Sequence, residues 1–336
     1  MANKVFFLGA GFSKALCSKF PLMNELTNDV VSRLDKDSVR RHFDELTIPV
    51  RKNFEILLTY LGTNWPWKND TTRHANLALY SAIIQNLSNI FNELTTQYIY
   101  GEQYEIDETF FAFAKKAIIP KNKMNFITLN YDVLLELLLR RSSNWELTYN
   151  DFYKYPMSLL STRILDSNSI TIRTPQSQAP SILKLHGSSN WFWAGETTAD
   201  EIYFSEGQEK DYDNVVMGLK PYIIPPVLDK NDFYNHIAIR ALWQKAEQLL
   251  KKADEIYIVG FSFPQTDLSV RYLFQSSLRN SNPNIYVVNR ARKKDLLLAY
   301  NDVLNERGID YTYTDGNDVV KQFIREHFLE NKDENN

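Results

Sequence analysis

Residues 4–15, Lys-Val-Phe-Phe-Leu-Gly-Ala-Gly-Phe-Ser-Lys-Ala, decide how the chain is read. Val5-Phe6-Phe7-Leu8 is a short unbroken apolar run of the kind that forms a buried strand, and it breaks at Gly9-Ala10-Gly11 into a helical segment with Ser13 near its start. This is how a parallel α/β unit opens. Two closely spaced glycines let a backbone approach a phosphate, and the helix N-terminus behind them offers free N–H groups and a positive dipole. A tight strand-to-helix turn needs the same residues. The dinucleotide fingerprint requires a third glycine and an acidic residue about 20 positions on. Here Ser13 and Ala15 follow Gly11, and no acidic residue ends an obvious second strand. Alone, the motif does not choose between turn and phosphate site.

A doubly wound sheet would place its next strand within about 30 residues, yet the next ~100 residues carry mainly helical periodicity. Helices are predicted over 53–61 (NFEILLTYL), 75–98 and 108–118 (ETFFAFAKKAI), with a turn-like GTNWPWKND at 62–70. Strand character resumes at 125–129 (NFITL), and Asn130-Tyr131-Asp132 leads into a helix over 133–141. A short strand is expected at 145–149, then a Ser-, Thr- and Pro-rich loop to Pro180, then a strand at 181–185 (SILKL) running into His186-Gly187-Ser188. Residues 194–225 mix acidic and turn residues with short strands, ending in Tyr222-Ile223-Ile224. Regular alternation then returns, with helices at 235–251, 267–278 and 317–328 and strands at 255–259, 284–288 and 310–313. The expected architecture is one α/β, Rossmann-like parallel-sheet domain over 1–328, with a helical insertion at about 25–120 and a polar, frayed tail at 329–336. In such sheets ligands bind beyond the C-terminal strand ends.

Composition narrows the function classes. With 336 residues, 44% hydrophobic and 24% charged, the chain has ample material for a buried core, which excludes disorder. Lys+Arg 38 against Asp+Glu 41 leaves a net charge of −3, so no global attraction to nucleic acid is expected. The single cysteine, Cys17, provides neither an internal disulfide nor a structural zinc knot. No apolar run approaches the roughly 20 residues of a membrane helix, and the N-terminus lacks a signal-peptide core, so a cytoplasmic address is expected.

Taken singly, the polar strand-end residues are ordinary. Asn130 and Asp132 read as helix caps, and Gly260, Ser262, Asp267 and Asn289 read as turn residues. His186 lies between a strand and a Gly-Ser turn, whereas His42, His74, His236 and His327 fall in helical or polar contexts that predict surface positions.

Their order carries more. GAGFSKA (9–15), TLNYD (128–132), LKLHGS (183–188), VGFSFPQTD (259–267) and VVN (287–289) together resemble the sirtuin superfamily. Its members carry GAGxS, a QN-x-D strand end, a catalytic HG, a GTS-like turn and an N-x-N-like strand end in that order. More narrowly, the chain resembles the sirtuin-like NAD hydrolases of bacterial anti-phage defence, found in Thoeris effectors and paired with HerA-type ATPases or short Argonautes. Pro21-Leu22-Met23-Asn24-Glu25-Leu26 stands where deacylases carry P-D-F-R, an N-x-E-x-L-L helix runs from Asn53 to Leu58, and one cysteine stands against the four of a deacylase zinc ribbon. The resemblance spans residues 4 to about 325.

The resemblance implies NAD+ as substrate, no metal, and cleavage to nicotinamide and ADP-ribose that depletes NAD+ in abortive infection. It also implies gating by homo-oligomerisation or by a partner such as a HerA-type ATPase or short Argonaute, with the insertion helices available for that contact and no direct binding of nucleic acid or membrane. Asn130 would orient water or the ribose hydroxyls, His186 would act as base, and Asp132 would fix the Asn130 loop or bind near the nicotinamide. In the first loop, Gly9, Ala10, Gly11 and Ser13 would hold the pyrophosphate, and Phe12 would cover the nicotinamide pocket, although the arginine that deacylases place nearby is missing. Gly260, Ser262 and Asn289 would serve the adenosine side, with Asp267 contributing and Gly316 to Val319 at the adenine edge. Two alternatives stand beside this reading: an NAD-dependent protein deacylase, and a non-catalytic NAD- or ADP-ribose-binding regulatory subunit. A dehydrogenase is disfavoured by the broken fingerprint.

Overall fold

Ten strands and their connecting helices are seen in the computed structural model, which describes residues 2–34, 37–100, 107–154, 158–160, 178–195, 197, 201–205, 219–227, 230–305 and 307–330. The strands are β1 (Lys4–Leu8), β2 (Met124–Thr128), β3 (Ser158–Leu160), β4 (Ile182–Lys184), β5 (Gly187–Trp193), β6 (Tyr203–Ser205), β7 (Lys220–Ile223), β8 (Glu255–Val259), β9 (Asn284–Asn289) and β10 (Ile309–Thr314). Six of them form a parallel sheet in the order β10-β9-β8-β1-β2-β4. Counted by their order along the chain within this sheet, that is the 3-2-1-4-5-6 arrangement of a doubly wound Rossmann fold. The predicted α/β, Rossmann-like architecture is thus observed.

The strand order reverses between β1 and β8, which run in register from Lys4 opposite Glu255 to Leu8 opposite Val259. Their near-continuous apolar sequences suit strands covered on both faces: Val5 to Leu8 and Ile256 to Val259 are buried throughout. A second sheet, β3-β6-β5-β7, is built from strands before and after β4 in the chain; a backbone bond from Ser189 N–H to the Tyr131 carbonyl (2.8 Å) ties it to the loop after β2, and one from Ile224 N–H to the His186 carbonyl (2.9 Å) ties it to the end of β4.

Between β1 and β2 the chain runs through helices Met23–Ser32, Asp37–Glu45, Ile48–Lys52, Phe54–Gly62, Asp70–Tyr100 and Glu108–Ala117, the expected helical insertion. The long Asp70–Tyr100 helix buries Leu79, Ile83, Leu87 and Ile90 at helical spacing against its neighbours. Its apolar face, a candidate for partner contact on sequence grounds, is covered within the chain. None of the described helices is long and apolar enough to cross a membrane.

Three elements differ from the expected ones. The strand expected at 145–149 does not form. Asn144 and Trp145 take left-handed conformations (φ +52° and +64°), and a capping box between Thr148 and Asp151 starts a short helix, Tyr149–Tyr153. The helix expected over 317–328 is α-helical only across Val319–Phe323 and continues as a π-helical turn, Ile324–Leu329. A helix absent from the sequence reading, Lys293–Leu304, connects β9 to β10 and buries Leu296, Tyr300, Val303 and Leu304. Of the histidines expected at the surface, His74 is exposed and His42 and His327 are half-buried. His236 is buried instead: its ring caps helix Ile237–Lys251 by accepting from the Ala238 N–H (3.3 Å) and packs edge-on between Trp193 and Tyr222. The predicted tail beyond 330 and the Ser-, Thr- and Pro-rich loop over 161–177 lie outside the described residues.

Candidate active site

At the point where the strand order reverses, two backbone turns press together. Gly9 N–H donates to the Val259 carbonyl (2.9 Å), Gly11 N–H to the Gly260 carbonyl (3.0 Å) and Gly260 N–H to the Val288 carbonyl (2.8 Å). Gly260 has φ +65°, and a Cβ on it would stand 2.4 Å from the Phe12 nitrogen; one on Gly9 would stand 2.5 Å from the Gly260 oxygen. The glycines are therefore required by chain-to-chain approach, whatever else they admit. They hold the start of helix Ala10–Leu16 beside the end of β8.

The loop after β2 is locked to that helix by side chains. Ser13 Oγ donates to Asp132 Oδ2 (2.7 Å), and Asn130 Nδ2 donates to both the Gly9 carbonyl and Ser13 Oγ (2.9 Å each). Asp132 Oδ1 accepts from the Leu134 N–H (3.1 Å), so this carboxylate also holds the first N–H of the following helix, Leu134–Ser142. Beneath the loop Lys184 donates to the Asp132 carbonyl and pairs with Glu136 at 3.2 Å, both side chains being 1% exposed. Burial raises the Glu136 pKa despite the partly offsetting Lys184 charge.

His186 enters from the end of β4, where Leu185 N–H donates to the Thr128 carbonyl (3.0 Å). Its position depends on the next residue: Gly187 sits at φ +77°, with the Tyr222 carbonyl oxygen 2.1 Å from where a Cβ would be. The imidazole is buried, and its Nε2 has no hydrogen-bond partner among the described residues; the nearest carboxylate oxygen, Asp267 Oδ1, lies 4.0 Å away. Asp267 in turn pairs with the buried ammonium of Lys230. Burial lowers the His186 pKa to about 4, with Asp267 opposing the shift and Lys230 adding to it, so the ring is neutral at pH 7. Burial works against ionisation of Asp267, but His186 and Lys230 outweigh it and hold that carboxyl below its usual range. From the insertion, Glu55, on a helix capped by Asn53, faces Lys230 and Asp267 and bonds to Thr266; burial raises its pKa.

The two glycine turns, the loop after β2, His186 and Asp267 line one cavity of about 880 Å³, which Lys184, Glu136, Lys230 and Glu55 do not border; its size is within the range of small-molecule and cofactor sites. Gly9, Ala10, Gly11, Ser13, Asn130, Asp132, His186, Gly260, Ser262, Asp267 and Asn289 all border it. Phe12 does not: it is buried under the helix, edge-on to Phe110 with ring centroids 6.1 Å apart, and the expectation that it covers the pocket is corrected. Asn317, Asp318 and Val319 line the far edge, but Gly316 does not. Asn289 spends both ends of its amide on the chain, donating to the Phe261 carbonyl (2.8 Å) and accepting from the Ala291 N–H (3.0 Å). Arg290, Lys14 and Lys321 also stand on the wall, Lys14 paired with Glu25 (2.9 Å) and Lys321 with Asp107 (3.0 Å); sequence reading singled out none of the three, nor Lys230, and knew Glu55 only as part of the N-x-E-x-L-L helix. No cluster of three or more His, Cys, Asp or Glu suited to a metal occurs among the described residues.

Residues 124–312, more than half of the chain, match the family model described as a SIR2-like domain. The chain belongs to the SIR2-like family. The matched span contains Asn130, Asp132, His186, Gly260, Asp267 and Asn289, and the Gly9 to Ser13 loop reaches the same cavity from outside it. No curated protein matches the SIR2-like chain in sequence. Among solved structures it is similar to a Sir2 homologue in complex with NAD at 12% identity, covering 97% of this chain and 91% of that one with a TM-score of 0.49. It is also similar to Sir2Tm bound to a propionylated peptide, at 13% identity, 97% and 93% coverage and a TM-score of 0.42. A third likeness is to a sirtuin solved for the structural basis of its substrate affinity, at 14% identity, 98% and 94% coverage and a TM-score of 0.44.

Proposed function

We propose that this SIR2-like chain is an NAD+ glycohydrolase, releasing nicotinamide and ADP-ribose. The observation that carries the reading is the meeting of a neutral, buried imidazole, His186, with the Asn130–Ser13–Asp132 clamp and the Gly9–Gly11 loop on one cavity at the sheet's reversal point. The cavity is large enough for a dinucleotide, and the polar groups converge on its floor. Nicotinamide leaves as a neutral pyridine, so no acid has to protonate it; the protein must hold the ribose, offset positive charge developing on the sugar and position water.

In this reading the Gly9–Gly11 loop admits the pyrophosphate, with Arg290 on the wall giving it a favourable field. Asn130 keeps its amide nitrogen on Gly9 and Ser13 and offers its carbonyl oxygen to water or a ribose hydroxyl. His186 Nε2, with no other partner among the described residues, takes the proton from that hydroxyl or from the attacking water. Asp132 contributes by fixing the loop, since both its oxygens are engaged by Ser13 and Leu134. Asp267 offsets the imidazolium that forms.

The same base and amide serve NAD-dependent deacylation. Hydrolysis is favoured because one cysteine in these 336 residues cannot supply a four-thiolate ribbon. The wider reading is NAD+ depletion in anti-phage abortive infection, in the cytoplasm, held in check by oligomerisation or by a partner such as a HerA-type ATPase or short Argonaute. Chromatography of the products decides between the chemistries. Equal amounts of nicotinamide and ADP-ribose without any peptide support hydrolysis, whereas acyl-ADP-ribose formed only when an acylated peptide is added supports deacylation and overturns the proposal.

A further inference from the structure

Lys230 belongs to none of the strand-end motifs, yet its charge reaches the candidate base through their shared neighbour Asp267. It precedes the short helix Asn231–Tyr234, and its side chain is 6% exposed, with the ammonium against Asp267 Oδ1. Asp267 is the N-cap residue of helix Leu268–Leu278 but makes no side-chain bond to that helix. Its carboxylate is thus turned from the usual capping task toward Lys230 on one side and, 4.0 Å away, His186 Nε2 on the other.

We propose that Lys230 is a positioning residue of the site, whose ammonium holds the Asp267 carboxylate beside His186 and tempers that carboxylate's pull on the imidazole proton. The physical case is one of charge balance. An unpaired carboxylate at this depth would either be protonated or draw a proton onto the neighbouring imidazole. With Lys230 in place the carboxylate stays ionised and the imidazole stays neutral, the form in which it can accept a proton. The other titratable groups around the pair are Glu55 from the insertion helix Phe54–Gly62, Tyr131 from the loop after β2 and Tyr234 from helix Asn231–Tyr234. Both tyrosines are pushed upward by burial and stay neutral, and Trp243 closes the remaining side with its ring centroid 6.3 Å from that of His186. Lys230 is therefore the cation shared by Asp267 and Glu55, linking the helical insertion to the base.

The inference rests on His186 being the base, but its test needs no turnover. The His186 ring nitrogens are titrated by NMR in the full chain between pH 8 and 3, for wild type, Lys230→Met, Lys230→Gln, Lys230→Arg and Asp267→Asn. Removing the charge with Met or Gln is expected to move the His186 midpoint upward by ~1 pH unit, Arg to restore the wild-type midpoint, and Asp267→Asn to move it downward. A side chain that merely filled space would leave the midpoint in place, so an unmoved midpoint in any folded charge-removing variant overturns the proposal. If Met and Gln both prevent folding, the double variant Lys230→Met/Asp267→Asn, which buries no orphan charge, is compared with Asp267→Asn: a higher His186 midpoint in the double variant upholds the role of the Lys230 charge and an equal one overturns it. NAD+ turnover is measured on the same samples. Midpoints that shift as stated in a protein that never cleaves NAD+ would sink the glycohydrolase reading alone, and essential His186 with unmoved midpoints would sink the Lys230 assignment alone.

Discussion

The Ser13 hydroxyl donates a 2.7 Å hydrogen bond to the Asp132 carboxylate, tying the helix that follows β1 to the loop that follows β2. Asp132 also holds the Leu134 N–H at the start of the next helix. Asp132→Ala therefore strands two buried donors and is expected to cost about 2–3 kcal/mol, against about 1 kcal/mol for Ser13→Ala. Urea denaturation of the two variants checks the order; a larger loss for Ser13→Ala would contradict the arrangement.

Gly260→Ala is expected to be among the most damaging small substitutions in the chain. The left-handed backbone alone costs about 1–3 kcal/mol, and the new methyl would meet the backbone of Gly11 and Phe12 at 2.4–2.6 Å. Gly308→Ala is the control, since a Cβ there meets nothing within 4 Å. It should change stability by less than about 0.5 kcal/mol in the same denaturation series.

Lys184→Met leaves the Glu136 carboxylate buried without its cation and is expected to cost about 3–5 kcal/mol. Pairing it with Glu136→Gln removes the orphan charge and leaves an acceptor for the Tyr153 hydroxyl, now 3.1 Å from Glu136. Thermal melts should therefore show the double variant more stable than Lys184→Met alone. Equal melting temperatures would mean the pair carries no coupling.

Acid should weaken the fold through His186. Its folded pKa of about 4 lies below the ordinary 6.5, so the unfolded chain binds the proton more tightly. The stability this group contributes is present above pH 6.5 and is lost as pH falls from there through 4. Between pH 7 and 5 the loss from this one group is about 2 kcal/mol. Denaturation of His186→Gln over the same interval should lack that slope; an identical slope would place the titrating group elsewhere.

Much of the fold was legible because buried parallel strands are written as apolar runs: β8 was read as 255–259, its observed bounds, and β1 within a residue. Strand ends of a doubly wound sheet converge on its reversal point, which is why the polar residues singled out there border one cavity, while Lys14, Arg290 and Lys321 of its wall were not among them. Phe12 failed this logic. Adjacent to the loop in sequence, it sits on the inward face of its helix with Leu16, four residues on, while Ser13 turns to Asn130 and Asp132. Trp145 failed because strand propensity says nothing of a left-handed turn stabilised by Arg140, whose carbonyl accepts the Trp145 N–H at 2.8 Å. Helix Lys293–Leu304 was missed although Leu296, Tyr300, Val303 and Leu304 are spaced for one buried face. Lys230 carries no local signature, and Glu55, although it is the Glu of the N-x-E-x-L-L helix, points to no site by itself, since the meaning of both comes from Asp267, which only the folded chain brings to them.

The central claim is tested most directly by the rate of nicotinamide release from NAD+, measured side by side for wild type and His186→Ala. Both proteins are purified, matched for folding by circular dichroism, and assayed alone and with a HerA-type ATPase or short Argonaute added. Wild type should yield equimolar nicotinamide and ADP-ribose in at least one of these conditions, and His186→Ala none above the uncatalysed background in either. Release by His186→Ala at the wild-type rate, or none by wild type in both conditions, would contradict it.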